Sequence, residues 1–524
     1  MNKKLLAVAC ILLSILSVSK VSAAEFCADE YYIDQTMPNG TRWDMCWTHD
    51  AAQGVRYHNI HYTPKDDSRR MVLYDASVAQ IHVPYDDNGA RYHDVSDYGL
   101  GDENLLSLSA GDCVGGTRSY YNSKAAICRS MSKDGSAYRH NEVRQDLHML
   151  KVFSVSRVGE YLYAAEWRFY SDGRIVPSII ATGALQRYGG ASAEQHGWLI
   201  AGTSSIGLSH MHNFYWRLDF DLNGSGSNDQ VQEINYSEYA GKRYRQMTSF
   251  NNEVARSVNP TTMRSWLIKD GDSTNRKGHS ISYEIRMNES GQREIGPSFE
   301  PFTENDIYIS KSKSCEKVAS HNKRVYDCAT DNLDEFVNGE SIQGQDIVAW
   351  VGVSFYHMPR SEDAPYMDAH VSSYEIVPRD WHTVNPSLDY VPPINLRLSA
   401  VDDYVTASAS SALDIDAMGN DTGSDITFNT LDNPDNGTAT IVNNKIRYVA
   451  DSGYRGTDVF WYSIKDSSGT VFGARIHVTV TDASTGGGSG NGGVSTGGGG
   501  VIDWFSLLGL SLLSSLLLLR RRHA

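Results

Sequence analysis

The sequence predicts an all-β protein: a large antiparallel β-sandwich, then a small Ig-like or cadherin-like β-sandwich, then one apolar C-terminal helix. Three observations predict it. From about Glu25 to Asn395, short apolar and aromatic runs are separated by Gly, Asn and Asp turn signals, as at 70–74, 161–169 and 347–355. The chain has 30 tyrosines, which suit a pleated, half-buried surface. No long stretch shows the strong 3.6-residue periodicity of an amphipathic helix.

At 524 residues there is room for two or three domains, and 40% hydrophobic content supplies large cores. The net charge of -16 argues against a nucleic-acid partner, which needs a basic face. Phosphate-cradling loops, nucleophile elbows and zinc-protease helix motifs are absent from the sequence.

Taken in order, the chain opens as a secretory signal over residues 1–23. Lys3 and Lys4 precede an apolar run from Leu5 to Val18, and Val21-Ser22-Ala23 supplies small residues for cleavage. Cys10 offers a lipoprotein reading, but the apolar run continues well past it. Six cysteines then remain, an even count that implies disulfides in an exported chain. Of the possible pairings, proximity in sequence favours Cys27–Cys46, Cys113–Cys128 and Cys315–Cys328.

The large sandwich spans 24–395, and Val391-Pro392-Pro393-Ile394 marks its boundary. Residues 398–482 carry turn signals at short regular spacing and end on an alternating strand at 474–480, the pattern of a small sandwich. That segment resembles bacterial cadherin-like surface domains. Its acidic residues read as a solvated surface, with calcium binding as the alternative. Residues 483–500 are a Gly/Ser-rich linker, 501–519 an apolar transmembrane helix, and Arg520-Arg521-Arg522 its basic stop. Together these resemble the glycine-glycine C-terminal sorting tails of Gram-negative bacteria. The resemblance implies export to the cell surface through a sorting machinery. A permanent membrane anchor is the alternative.

Chemistry concentrates at 209–221. His210 and His212, two residues apart on an extended strand, present both imidazoles on one face and make half a metal site. Asp219 and Asp221 repeat the spacing with hard oxygen ligands. His357 follows the apolar strand at 347–355 and precedes a Pro-containing turn, which suits a third ligand reaching across from a neighbouring strand. Three imidazoles suit Cu(II) or Zn(II) and leave open positions.

With His210-x-His212, Phe214, Arg217-Leu-Asp-x-Asp221 and His357-x-Pro-Arg-x-Glu-Asp363 in this order, residues of about 50–395 resemble the copper-containing amine oxidases. The resemblance implies the catalytic β-sandwich of that family, without its small N-terminal domains. It implies a homodimer, copper on His210, His212 and His357, and a topaquinone cofactor made from Tyr161. It implies oxidative deamination of a primary amine by oxygen, giving aldehyde, ammonia and hydrogen peroxide. Asp94, within Tyr92-His-Asp-Val-Ser-Asp-Tyr-Gly99, matches the proton-abstracting base. Tyr92 matches the gate beside the substrate channel, Tyr85 the tyrosine that hydrogen-bonds the cofactor, and Cys113–Cys128 the internal disulfide. Calcium is implied at Asp219, Asp221, Asp346 and the carbonyls of Phe220 and Ile347, so the two strands would be tied at one end by copper and at the other by calcium.

The sequence departs from the family around the quinone precursor. Arg157, Glu160 and Leu162 stand where the family has Thr, Asn and an acidic residue. These neighbours orient the ring and shape its pocket. Two rivals follow: an oxidase-fold surface protein for adhesion or copper binding without the cofactor, and a copper enzyme that uses Tyr161 unmodified.

Other candidates read as bland. Asp219-Phe-Asp-Leu-Asn-Gly224 begins like an EF-hand loop, but Gln230 stands at its twelfth position and flanking helices are not evident. His58 and His61 read as packing or surface histidines, and His370 and His382 as structural or channel-lining. Asn39 and Asn436 lie in glycosylation sequons that a bacterial-looking chain leaves unused.

Overall fold

Strand alternation from residue 32 to residue 379 folds into two large antiparallel sheets that face each other, as the computed structural model shows. It describes residues 27–481 apart from 88, 189–196, 201, 240–241, 288–292, 389–397, 410 and 468. The expected signal peptide, the 391–394 boundary, the linker and the apolar tail lie outside the described residues. Among the described residues, no helix is long and apolar enough to cross a membrane.

Eight strands matter to the site: β1 (Arg70–Pro84), β2 (Arg91–His93), β3 (Val143–Val158), β4 (Tyr161–Tyr170), β5 (Ile175–Gly183), β6 (His210–Phe220), β7 (Ile347–His357) and β8 (Met367–Ser373). One sheet carries β6 between β1 and β7; the other carries β3, β4 and β5 side by side. Rings from the two sheets meet in the core: Trp43 lies 5.2 Å from Phe169, and Tyr57 lies 5.7 Å from Trp167. The Trp43 indole donates to the Tyr170 carbonyl at 2.8 Å. Large aromatics at such contacts dominate the energetics of a core, each pair adding about 0.5–1.5 kcal/mol beyond area burial.

Every residue of β6 is buried. Its even positions Phe214, Trp216, Leu218 and Phe220 join the main core, and Tyr215 joins a second apolar cluster with Phe302, Phe336 and Trp350. Period-2 alternation therefore sends His210 and His212 toward the facing sheet, and Asn213 and Asp219 to its outer side. β6 and β7 pair over eleven residues in unbroken register, His210 opposite His357 and Phe220 opposite Ile347.

Asp94 sits on the excursion between the sheets. β2 pairs back on β1, His93 opposite His82, and the chain enters a π-helical turn at Asp94–Tyr98. That turn is clamped from below: Leu100 N–H donates to the Ala52 carbonyl at 2.8 Å, and Gly101 N–H to the Ala51 carbonyl at 3.0 Å. A Cβ at Gly101 would collide with the Asp50 and Ala51 backbone. Gly101→Ala is expected to cost about 1–3 kcal/mol, the usual price of overpacking, and to displace Asp94. A thermal melt and an activity assay on the same preparation check both effects.

The three disulfides are Cys27–Cys46, Cys113–Cys128 and Cys315–Cys328, the pairings that sequence proximity favours. The chain forms two compact units, the second made of Asp402–Asn420, Thr427–Ile464 and the chain from Gly473, while Asp421–Ile426 and Lys465–Phe472 belong to the first. The second packs a four-stranded and a three-stranded sheet around Tyr448, Phe460, Tyr462 and Ile476. Buried Asp458 accepts hydrogen bonds from the Asn436 N–H at 3.0 Å and the Tyr448 hydroxyl at 3.1 Å. Asp402 pairs with Arg475 at 2.9 Å. Among the described residues, no candidate metal cluster falls in this unit.

Candidate active site

The ligating atoms of His210, His212 and His357 lie within 4.8 Å of one another, and all three rings are buried. Two of the rings are held by a second partner, while His212 Nδ1 is buried without one. His210 Nδ1 meets the Leu208 carbonyl at 2.8 Å, which keeps its proton there and leaves Nε2 bare. That Nε2 lies 3.0 Å from His212 Nε2. His357 Nε2 meets the Asp363 carboxylate at 3.1 Å, and its Nδ1 is buried without a hydrogen-bond partner. A carboxylate behind a histidine is how metal-binding imidazoles are oriented. Burial, then the neighbouring His357, pushes His210 down to about 3; burial, then His210, pushes His212 well below the ordinary imidazole value. Neutral imidazoles with two orphaned buried nitrogens, His212 Nδ1 and His357 Nδ1, fit a copper ion.

Tyr161 begins β4 on the facing sheet, and its hydroxyl lies 2.9 Å from His210 Nε2. The phenol oxygen thus sits within hydrogen-bonding distance of the three-histidine cluster. Among its unusual neighbours, Arg157 and Glu160 are exposed and Leu162 is half-buried. Arg157 Nε turns back to the Gly159 carbonyl at 3.2 Å. The two charged replacements leave the ring pocket rather than fill it.

Asp94 is buried, and Tyr163 donates its hydroxyl to Asp94 Oδ2 at 2.9 Å. The Tyr163 ring stacks parallel to Tyr161 with centroids 5.9 Å apart. Tyr163 and Tyr161 share a face of β4 because they are two residues apart. Burial raises the Asp94 carboxyl to about 7, against the Tyr163 hydrogen bond and with help from Asp97. Outward from His210 runs a file of rings: Tyr85 at 4.7 Å, Tyr92 at 5.9 Å from Tyr85, and half-exposed Tyr98 at 6.3 Å from Tyr92.

At the far end of the same strand pair, carboxylate oxygens of Asp219, Asp221 and Asp346 lie within 4.8 Å of one another. Oδ1 of Asp219 and of Asp221 are buried without partners. Arg217 pairs with Asp219 at 2.9 Å. Burial, then Asp346, raises Asp221 to about 7; burial raises Asp219 to about 6, against Arg217 and with help from Asp346. A Cβ on Gly226 would fall among the carboxylates. Hard oxygens in a cradle that repels itself fit a divalent cation. The following segment holds short 3-10 turns and runs into a strand at Asp229, so an EF-hand is excluded.

The remaining histidines separate. His370, on β8, lies beside the triad: its ring is 4.7 Å from His357 and stacks 4.6 Å from Phe355, with a buried, unpartnered Nε2. His382 bonds the Tyr62 hydroxyl at 3.0 Å. His61 Nδ1 bonds the Asn59 carbonyl, and Asn59 itself meets His58. Asn39 is spent on the Ser171 and Pro386 carbonyls. Sequence reasoning assigned no role to Tyr163 or Asp363. Their signals were present: Tyr163 stands two residues from Tyr161, and Asp363 closes the motif that begins at His357.

The profile of the family described as "Copper amine oxidase, enzyme domain" matches residues 34–397, more than half of the chain. The chain belongs to the copper amine oxidase family. The profile "Bacterial Ig domain" matches residues 392–485. Among named copper amine oxidase relatives, "Histamine oxidase" of Arthrobacter globiformis is 26% identical over 391 residues, covering 66% of this chain and 56% of the relative. "N-methylputrescine oxidase 1, peroxisomal" of Nicotiana tabacum is 24% identical, covering 70% and 52%. The chain thus spans about half the length of these relatives. A copper-containing benzylamine oxidase from Hansenula polymorpha shares the fold, with TM-score 0.56 and 20% identity over 68% of this chain and 62% of that one. Pichia pastoris lysyl oxidase has TM-score 0.56 and 23% identity over 66% and 52%.

Proposed function

We propose that this chain is a copper- and topaquinone-dependent primary-amine oxidase that converts amine, water and oxygen to aldehyde, ammonia and hydrogen peroxide. One observation carries the reading: the Tyr161 hydroxyl meets a three-histidine cluster at 2.9 Å while Tyr163, on the same strand face, holds a buried carboxylate. Relatives named for histamine and N-methylputrescine oxidation support an amine as substrate.

His210, His212 and His357 would hold copper, and Tyr161 would be the quinone precursor. When formed, the quinone supplies an electrophilic carbonyl and a two-electron sink, and copper is needed to make it. The protein supplies the rest. Asp94 takes the substrate α-proton, a general-base role worth about 10²–10⁴-fold. Tyr163 holds one oxygen of that carboxylate through its hydroxyl, at 2.9 Å. Tyr85 and Tyr92 exclude water and orient the entering amine.

Asp219, Asp221 and Asp346, with the Phe220 and Ile347 carbonyls, form a structural calcium site in this proposal. Chelation by EGTA is expected to lower the melting temperature by about 2 °C or more, with recovery on adding calcium. A homodimer, export to a cell surface and release or anchoring through the C-terminal tail complete it. The three disulfides support an oxidising compartment.

The decisive experiment uses copper-loaded protein purified in air and treated with phenylhydrazine. A coloured adduct on the peptide containing Tyr161 is expected. Bound copper, no adduct and no peroxide from any primary amine would sink the oxidase reading and favour the cofactor-free surface protein.

A further inference from the structure

Behind the copper histidines, on the outer side of the same sheet, lies a second cluster with metal-ligand chemistry. The ligating atoms of His82, His93 and Glu300 lie within 4.8 Å of one another, and all three side chains are buried. His82 Nε2 is 3.3 Å and His93 Nε2 3.9 Å from Glu300 Oε1. His82 Nε2 is buried and makes no hydrogen bond. We propose that His82, His93 and Glu300 form a second transition-metal site, of zinc class, that anchors the loop carrying Asp94.

Donor chemistry selects the ion. Two imidazoles and one carboxylate make a borderline set of three protein ligands with a position left open, which suits zinc. Calcium needs six to eight oxygens. Tetrahedral zinc with bonds of about 2.0–2.1 Å keeps its ligands a little over 3 Å apart, so the cluster closes on an ion with small side-chain movements.

Each ligand is held from behind, as metal ligands are. His93 Nδ1 meets Ser320 Oγ at 2.8 Å. His82 Nδ1 meets the Asn213 side-chain amide at 3.2 Å. Asn213 also meets the Ser354 hydroxyl at 2.6 Å; a hydroxyl donates or accepts, so the amide can present either end to His82. Arg91 grips Glu300 through two bonds, at 2.8 and 2.5 Å. A carboxylate and imidazoles bind a metal in their deprotonated forms.

The place in the fold gives the site its role. His93 directly precedes Asp94, and Asn213 directly follows His212. A metal here would tie β1, β2 and the turn before residue 301 together behind the base. It is a positioning site, and it stands whether or not Tyr161 is converted.

The test uses the full chain, stripped with chelator, then loaded with one equivalent of copper per chain and excess calcium so that both other sites are filled. Cobalt(II) is titrated as the probe. One further equivalent is expected, with the visible bands of a four- or five-coordinate ion. In Glu300→Gln and His82→Asn the copper equivalent stays and the cobalt affinity falls by about 100-fold or more, beyond what loss of an outer partner causes. A wild-type arm needs no variant: X-ray absorption of zinc in the second equivalent is expected to show scattering from two imidazoles. No second equivalent, an oxygen-only shell, or undiminished binding in both variants would overturn the site and leave a buried ion-pair network.

Discussion

Asp94→Asn is expected to lower amine-driven reduction of the oxidised enzyme by at least about 10²–10⁴-fold, with copper content and phenylhydrazine labelling of Tyr161 unchanged. The amide keeps the shape of the side chain and can still meet the Tyr163 hydroxyl, so the loss reports proton transfer rather than packing. The pH dependence follows from burial. The carboxyl is raised to about 7, and only its ionised form accepts a proton. Anaerobic reduction should therefore rise with pH, level off above about 7, and fall tenfold per unit below it. Tyr163→Phe removes a hydrogen bond that favours the ionised form, so its limb moves to higher pH. Stopped-flow reduction across pH checks both. A flat profile from pH 5 to 9 in the wild type would remove Asp94 from the role of base.

His212→Ala should abolish both copper retention and the Tyr161 adduct. His212 is fully buried, and its Nε2 faces His210 Nε2 at 3.0 Å, so one missing imidazole leaves a two-ligand site. Activity is expected to fall to background. Elemental analysis and phenylhydrazine labelling check it. An adduct in a copper-free variant would detach Tyr161 from the histidine cluster. Asp363→Asn should give a weaker version, about 10–100-fold in copper affinity, because only the orientation of His357 suffers.

Much of this was legible in the sequence. The His210-x-His212 spacing already put two imidazoles on one strand face, and β6 bears that out as an extended strand. The placement of Arg157 and Glu160 was not legible, because a sequence does not say which way a hairpin side chain points. Arg157 and Glu160 are exposed beside the turn at 159–160, out of the Tyr161 pocket. His370 read as one bland histidine among several, yet β8 carries it to 4.7 Å from His357.

The sequence by itself determined the all-β class, the disulfide pairing by proximity and the half-sites on β6, because these rest on periodicity and short separations along one chain. Only the tertiary structure decided what completes them. The register of β6 on β7 sets His210 opposite His357 and Phe220 opposite Ile347, across more than a hundred residues. The facing sheet brings Tyr161 to His210 and Tyr163 to Asp94. Glu300 reaches His82 and His93 across a still longer stretch of chain that contains many of the strands. Burial raises Asp94 and empties the imidazoles of charge, and burial is a property of the packed sheets rather than of any residue within them.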